Sequence, residues 1–100
     1  MILEIADIRV KPGTQAEFEA AVEKGVNMVI SKAKGFLGYK LNKGIESPER
    51  YILMVFWQTR ENHTVDFRQS SAHSEWRALV GPYFAGAPAV EHFNLVSKSE

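Results

Sequence analysis

The 100-residue chain contains no cysteine, which excludes disulfides, thiolate nucleophiles and sulfur-ligated metal sites. Its 12 basic and 12 acidic side chains cancel, and no segment carries a block of one charge. This balance argues against nucleic acids and membranes as partners, so we expect a small or apolar ligand. Glu4, Asp7 and Arg9 interrupt the first ten positions, which predicts no signal peptide and a cytoplasmic protein.

The longest apolar run covers residues 51–57, far fewer than the roughly 20 residues that span a bilayer. Branched and aromatic side chains dominate this run, which predicts a strand. Because side chains alternate along a strand, both of its faces would be apolar. One face would carry Tyr51, Leu53, Val55 and Trp57, and the other Ile52, Met54 and Phe56. Such a strand needs a cover on each side.

The pattern along the chain predicts an α+β domain over residues 2–95. Strands are predicted at 2–10, 36–43, 51–57 and 90–96, with helices after Thr14, Thr59 and Ser70. This order matches the ferredoxin-like βαββαβ arrangement, a four-stranded antiparallel sheet with its helices on one face. The uncovered sheet face is apolar, so we expect it to pair with a second copy in a homodimer.

Local signals position the first helix and the second strand. Thr14 and Glu17 have the spacing of a capping box. Gly25 in the middle of the helix costs about 1 kcal/mol relative to alanine, so we expect a close approach to its backbone. On the second strand, alternation places three side chains on one face: Leu37, Tyr39 and Leu41.

The sequence lacks a phosphate loop, a dinucleotide fingerprint, a His-Glu-x-x-His motif and a nucleophile elbow. We therefore expect no bound cofactor. The three histidines have no carboxylate at a metal-binding spacing, so no metal site is predicted either. Aromatic and imidazole side chains concentrate in the second half of the chain instead: Trp57, His63, Phe67, His73, Trp76, Tyr83, Phe84, His92 and Phe93.

Several fragments along the chain carry a family resemblance. They are Val10–Gly13 before a helix with Phe18, then Gly35–Tyr39, Val55–Thr59, Asp66–Ser70, Glu75–Leu79 and Val90–Phe93. With these fragments the sequence resembles the antibiotic biosynthesis monooxygenase family. The resemblance implies a dimeric α/β barrel. It also implies one of several activities: cofactor-independent oxygenation of aromatic polyketides or quinols, haem degradation, or isomerisation of a small signal molecule.

Haem degradation is not expected for this chain. In that branch of the family, an asparagine on the first strand and a tryptophan and a histidine on the second helix carry the reaction. Counting from Gly13 and Ser70, the corresponding positions fall near Ala6, Phe67 and Arg77. None of them matches.

A cofactor-independent oxygenase needs a base, a donor that stabilises an anion, and aromatic walls. Histidine is the natural base near neutral pH. Our hypothesis is that His63 or His92 takes this role and that Arg68 is the oxyanion partner. The predicted walls of the pocket are Trp57, Phe67, Trp76 and Phe93.

Structural explanations exist for the same residues. His63 and His73 fit an exposed helix surface, and His92 fits a hydrogen-bonded structural role. Trp57 and Trp76 also fit ordinary packing in a core or an interface. Two rival functions therefore stand beside the oxygenase: a non-catalytic module that binds a small ligand, and an isomerase of a small carbonyl compound.

Overall fold

One antiparallel sheet carries the helices of the chain on a single face. The computed structural model describes residues 1–99. Its strands are β1 (Ile2–Arg9), β2 (Phe36–Lys43), β3 (Arg50–Trp57) and β4 (Ala89–Asn94), in the spatial order β2-β3-β1-β4. Its α-helices are α1 (Gln15–Met28) and α2 (Ser71–Val80). Shorter helical segments occupy Ile30–Lys32, Asn62–Phe67 and Gly81–Tyr83. The predicted ferredoxin-like α+β fold is confirmed.

The core lies between the helices and one face of the sheet, which we call the inner face. On β3 this face consists of the odd-numbered side chains, and Tyr51 and Trp57 are at most 1% exposed. The helix α1 packs Phe18, Val22 and Val26 against it. Full burial of each such aliphatic or aromatic side chain stabilises the fold by about 1.5 to 3 kcal/mol. The predicted split of residues 51–57 into two faces is therefore correct.

The opposite, outer face of the sheet is covered by no helix of residues 1–99. Its apolar side chains on the two central strands are only half-buried: Leu3, Ile5, Ile52, Met54 and Phe56. Arg50 and Asp7 form a bidentate ion pair at the end of this face, with distances of 3.0 and 2.7 Å. The described residues also include no helix long and apolar enough to cross a membrane.

The structure corrects two local predictions. Phe36 pairs with Trp57 and Gly38 with Phe56, so Leu37 is the extra residue of a β-bulge and is 55% exposed. Leu37 therefore does not share the inner face with Tyr39 and Leu41. The predicted capping box is also absent, because the Thr14 hydroxyl donates to the Lys11 carbonyl at 2.6 Å.

The expected close approach at Gly25 is present and involves Trp76 of α2. A Cβ atom at position 25 would lie 2.7 Å from Cε3 and 2.8 Å from Cζ3 of that indole. The absence of a side chain at Gly25 thus lets the two helices meet through a tryptophan ring laid on a backbone.

Gly25→Ala should destabilise the protein even though alanine favours a helix. Overpacking of a filled core costs about 1 to 3 kcal/mol, which exceeds the gain of about 1 kcal/mol in helix propensity over most of that range. Urea unfolding measures the difference. The exposed Ala20→Gly on the same helix is the control and reports propensity alone. A Gly25→Ala variant more stable than the wild type would contradict this packing.

Candidate functional site

A cavity of about 300 Å³ lies between the inner face and the chain segment from His63 to Arg77. This volume is at the lower end of the range for small-molecule sites. Most of its walls are apolar: Ala6, Ile8, Ile30, Leu53, Val55, Phe67, Trp76, Phe84, Pro88 and Val90. Its polar lining consists of Glu4, His63, Arg68, His73 and Arg77.

The turn after β3 orients the helical segment that carries His63. Thr59 N–H donates to Asn62 Oδ1 at 3.0 Å, and Asn62 N–H donates to Thr59 Oγ1 at 3.2 Å. The predicted cap at Thr59 is therefore correct. The Asn62 amide also donates to Asp66 Oδ2 at 3.0 Å and packs against Gly35, where a Cβ atom would have no room. These contacts hold the segment against the sheet.

Residues Asn62–Phe67 form a π-helical turn rather than the α-helix that the sequence predicts. Arg68 N–H donates to the His63 carbonyl, five residues earlier, at 2.9 Å. Such turns are rare in proteins, and many of those that occur lie at functional sites. In this chain both His63 and Phe67 are buried by the turn.

Glu4 and His63 are the buried polar residues of the cavity lining, and we call the part of the cavity that they line its inner end. The half-buried His92 joins them in a polar cluster. Trp57 Nε1–H donates to Glu4 Oε1 at 2.9 Å, and His63 Nε2 lies 3.4 Å from the same oxygen. The other ring nitrogen of His63, Nδ1, lies 2.8 Å from His92 Nε2. A proton on His63 Nε2 would face the carboxylate, and Nδ1 would then accept a hydrogen bond from Nε2–H of His92. This arrangement gives each ring nitrogen of His63 a partner.

The His63 ring packs against two aromatic side chains. It stacks on Trp57 with ring centroids 5.5 Å apart and planes inclined by 23°. The Phe67 centroid lies 6.3 Å from that of His63, with planes inclined by 25°, and 5.9 Å from that of Trp57, so the three rings form a triangle. These contacts, together with the two bonding nitrogens, define a single ring orientation.

Burial controls the protonation of the cluster. Desolvation raises the pKa of Glu4, while the Trp57 hydrogen bond and the charge of Arg68 oppose the rise. Desolvation also lowers the pKa of His63 to about 3, with further contributions from Arg68, His92 and His73. The pKa values of His92 and His73 are lowered in the same direction, mainly by burial. Near neutral pH, His63 is therefore an uncharged ring beside an unusually basic carboxylate.

Some of the predicted site residues line the cavity and others do not. It brings His63 and His92 into contact, and the expectation of an exposed His63 is wrong because the residue is 5% exposed. Trp57 does not line the cavity. It donates a hydrogen bond to Glu4 and stacks on the His63 ring. The other predicted residues that line the cavity are Phe67, Arg68 and Trp76.

The prediction that Phe93 is a pocket wall is wrong. Phe93 pairs with Leu3, whereas its neighbour His92 pairs with Glu4. Because side chains alternate along β4, Phe93 lies on the outer face, where it is 43% exposed.

Sequence reasoning missed three polar residues of the cavity: Glu4, His73 and Arg77. Glu4 had a visible signal, since it is the one charged residue on the otherwise apolar even-numbered face of β1. His73 was interpreted as a surface residue, yet it lines the cavity and meets the Phe67 ring edge-on at 5.7 Å between centroids. Within residues 1–99, no three His, Asp or Glu side chains are arranged to hold a metal ion.

Comparison with known proteins identifies the family. The model of the antibiotic biosynthesis monooxygenase family matches residues 1–79. The chain belongs to this family. It is 40% identical over 96 residues to the uncharacterized protein YczJ of Bacillus subtilis (strain 168), covering 96% of this chain and 100% of YczJ.

Solved structures of the antibiotic biosynthesis monooxygenase family share the fold. A Bordetella bronchiseptica protein provisionally assigned to the family is 48% identical, with a TM-score of 0.91, and the match covers 96% of this chain and 97% of that one. A monooxygenase from the gene ActVA-Orf6 of Streptomyces coelicolor, solved with nanaomycin D, has a TM-score of 0.83. The match covers 99% of this chain and 90% of that one, and at 20% identity it supports the fold alone.

Acidification should destabilise this family member through His63. Its pKa in the folded state, about 3, lies below the ordinary value of 6.5, so folding favours the neutral ring. This stabilisation is complete above pH 6.5 and is lost as the pH falls toward 3, by up to about 1.4 kcal/mol per pH unit. His63→Gln should make the free energy of unfolding, measured with urea, fall less steeply between these pH values.

An NMR titration provides an independent check of the same property. The ring protons of His63 should not titrate as the pH falls from about 8 to about 5. A midpoint near the ordinary value of 6.5 would contradict the lowered pKa.

Proposed function

We propose that this chain is a cofactor-independent monooxygenase that oxidises a small aromatic hydroxyl compound, such as a hydroquinone or an anthrone, with molecular oxygen. Membership of the antibiotic biosynthesis monooxygenase family supports the reaction type. The observation that carries the proposal is the buried Glu4 carboxylate, 7% exposed, at the inner end of a largely apolar cavity. A carboxylate in such surroundings can take a proton from a bound aromatic hydroxyl group.

Glu4 is the group of the cluster best suited to accept the proton. Its Oε1 atom receives the Trp57 hydrogen bond and faces His63, and no hydrogen bond within residues 1–99 involves Oε2. Both nitrogens of His63 are directed at Glu4 and His92, so its role in the proposal is to hold the carboxylate in place. His92 in turn positions His63. In this proposal the base is therefore Glu4. His63 and His92, which the sequence suggested as bases, position it.

The proposed reaction balances without an external reductant. Glu4 accepts the hydroxyl proton, and the electron-rich anion passes one electron to oxygen. The resulting superoxide and substrate radical combine to form a C–O bond. The peroxide takes up the stored proton and then loses water, whose second hydrogen comes from the attacked carbon, so a carbonyl group remains at that carbon. One oxygen atom ends in the product and the other in water, and the substrate supplies all the electrons. The charge of Arg68 favours the anion.

We also propose that the protein works as a homodimer joined through the outer face of the sheet. The half-buried apolar side chains of β1 and β3 on this face support the proposal. A twofold axis lets one self-complementary patch serve both copies.

The proposed reaction predicts oxygen uptake with a panel of hydroquinones and anthrones. Glu4→Gln keeps an acceptor for Trp57 but removes the base, so kcat should fall by about 10² to 10⁴-fold. In the wild type, the rate should rise with pH through the raised pKa of Glu4, because only the ionised carboxylate accepts a proton. The exposed Glu46→Gln is the control and should retain full activity.

Two other outcomes would reject the oxygenase. Conversion of the substrate without oxygen uptake would indicate an isomerase, and tight binding without conversion would indicate a binding module. His63→Gln should change the pH profile of kcat as well as its size, which a purely structural role would not do.

Sedimentation at micromolar concentration should detect a dimer. Met54→Glu places a charge at the centre of the outer face and should shift the protein to monomers, because an unpaired buried charge is strongly unfavourable. Gln58→Glu adds the same charge at an exposed position beyond the end of β3 and should leave the dimer intact. A wild-type monomer would contradict the proposed assembly.

A further inference from the structure

Two arginines, Arg68 and Arg77, line the cavity and are themselves exposed, so they mark its rim. Neither has a carboxylate within ion-pair distance among residues 1–99. Arg50 and Arg60, by contrast, pair with Asp7 and with a neighbouring glutamate, at 2.7 and 3.6 Å. The rim therefore offers two guanidinium groups whose hydrogen-bond donors are available to a ligand.

The lining of the cavity carries a net positive charge. Its only acidic member is Glu4, and Oε1 of this carboxylate already faces Trp57 and His63 at the inner end. The lining histidines, His63 and His73, have lowered pKa values and add no charge near neutral pH. Even with Glu4 ionised, the two arginines outweigh it, so an anionic ligand would be favoured over a neutral one.

The Arg77 guanidinium has a defined position on the rim. It lies over the Phe84 ring, 5.5 Å from the centroid, and Phe84 lines the same cavity. A guanidinium that packs over an aromatic ring can still present N–H groups to an acceptor. The charge of Arg68 reaches the inner end, since it affects the pKa of Glu4 and of His63.

We propose that the ligand of this cavity is an aromatic hydroxyl compound that also bears an anionic group, of the carboxylate class, at its far end. The hydroxyl group meets Glu4, and Arg68 and Arg77 bind the carboxylate at the rim. The claim that the ligand presents a hydroxyl group to Glu4 rests on the proposed function. The anion site at the rim requires only binding, so the two proposals can fail separately.

A matched pair of probes tests the anion site: 6-hydroxy-2-naphthoate and its neutral isostere 6-hydroxy-2-naphthamide. Calorimetry at low salt should give an at least tenfold lower Kd for the carboxylate, because charge-assisted hydrogen bonds exceed neutral ones. In the double variant Arg68→Gln with Arg77→Gln, the ratio of the two Kd values should approach one. Arg60→Gln removes the same charge from a neighbouring position outside the cavity and should preserve the ratio.

Salt dependence of the wild-type protein provides a test that needs no variant. Raising the ionic strength from about 0.01 to 0.15 M shortens the screening length from about 30 to 8 Å, so the carboxylate should bind more weakly while the amide is unaffected. Equal Kd values for both probes, or an equal loss for both in the double variant, would overturn the anion site. A retained preference without oxygen uptake from any hydroxyl compound would support this site and reject the oxygenase.

Discussion

The burial of one carboxylate, Glu4, on the helix-covered face of the sheet is the constraint on which the site depends. A charged group in an apolar layer is costly unless donors surround it, and removing one partner of such a group typically costs about 3 to 5 kcal/mol. Trp57 supplies an indole N–H and His63 a ring nitrogen. The need to satisfy Glu4 therefore accounts for a tryptophan that is fully buried and for a histidine drawn into the core.

Local features of the surrounding chain bring the partners of Glu4 into place. His63 reaches the carboxylate because a π-helical turn, capped through Thr59 and Asn62, brings its ring inward. That turn packs against the sheet only because Gly35 has no side chain where Asn62 lies. Gly25 plays the same part for Trp76, which lines the cavity. Two positions without side chains thus allow the segment that carries His63 to pack on Gly35 and the Trp76 ring to pack on Gly25.

The two ends of the resulting cavity differ in charge and in exposure to solvent. Its inner end is shielded from solvent and holds a carboxylate whose pKa is raised, while its rim carries the exposed Arg68 and Arg77. Water exclusion at the inner end strengthens the basicity of Glu4, and solvent at the rim allows unpaired cations to persist. A ligand with a hydroxyl group at one end and an anionic group at the other would match these two ends. The proposed oxidation and the proposed substrate class both follow from the same arrangement.

The sequence alone determined the order of the elements, because hydrophobic alternation and turn residues are local properties. It therefore predicted the ferredoxin-like fold, the two faces of residues 51–57 and the close approach at Gly25. The bulge at Leu37 and the hydrogen bond of Thr14 to Lys11 escaped prediction, since each depends on competition between neighbouring partners.

The site was only partly predictable from sequence. Alternation could have assigned His92 and Phe93 to opposite faces, but only the pairing of β4 with β1 decided that His92 shares the face of Glu4. Only the tertiary structure brought His63 from a polar helical segment to 2.8 Å from His92. The physical reason is that a buried charge selects its partners through space, and residues 4, 63 and 92 are neighbours only after the sheet has formed and the π-helical turn has packed on it.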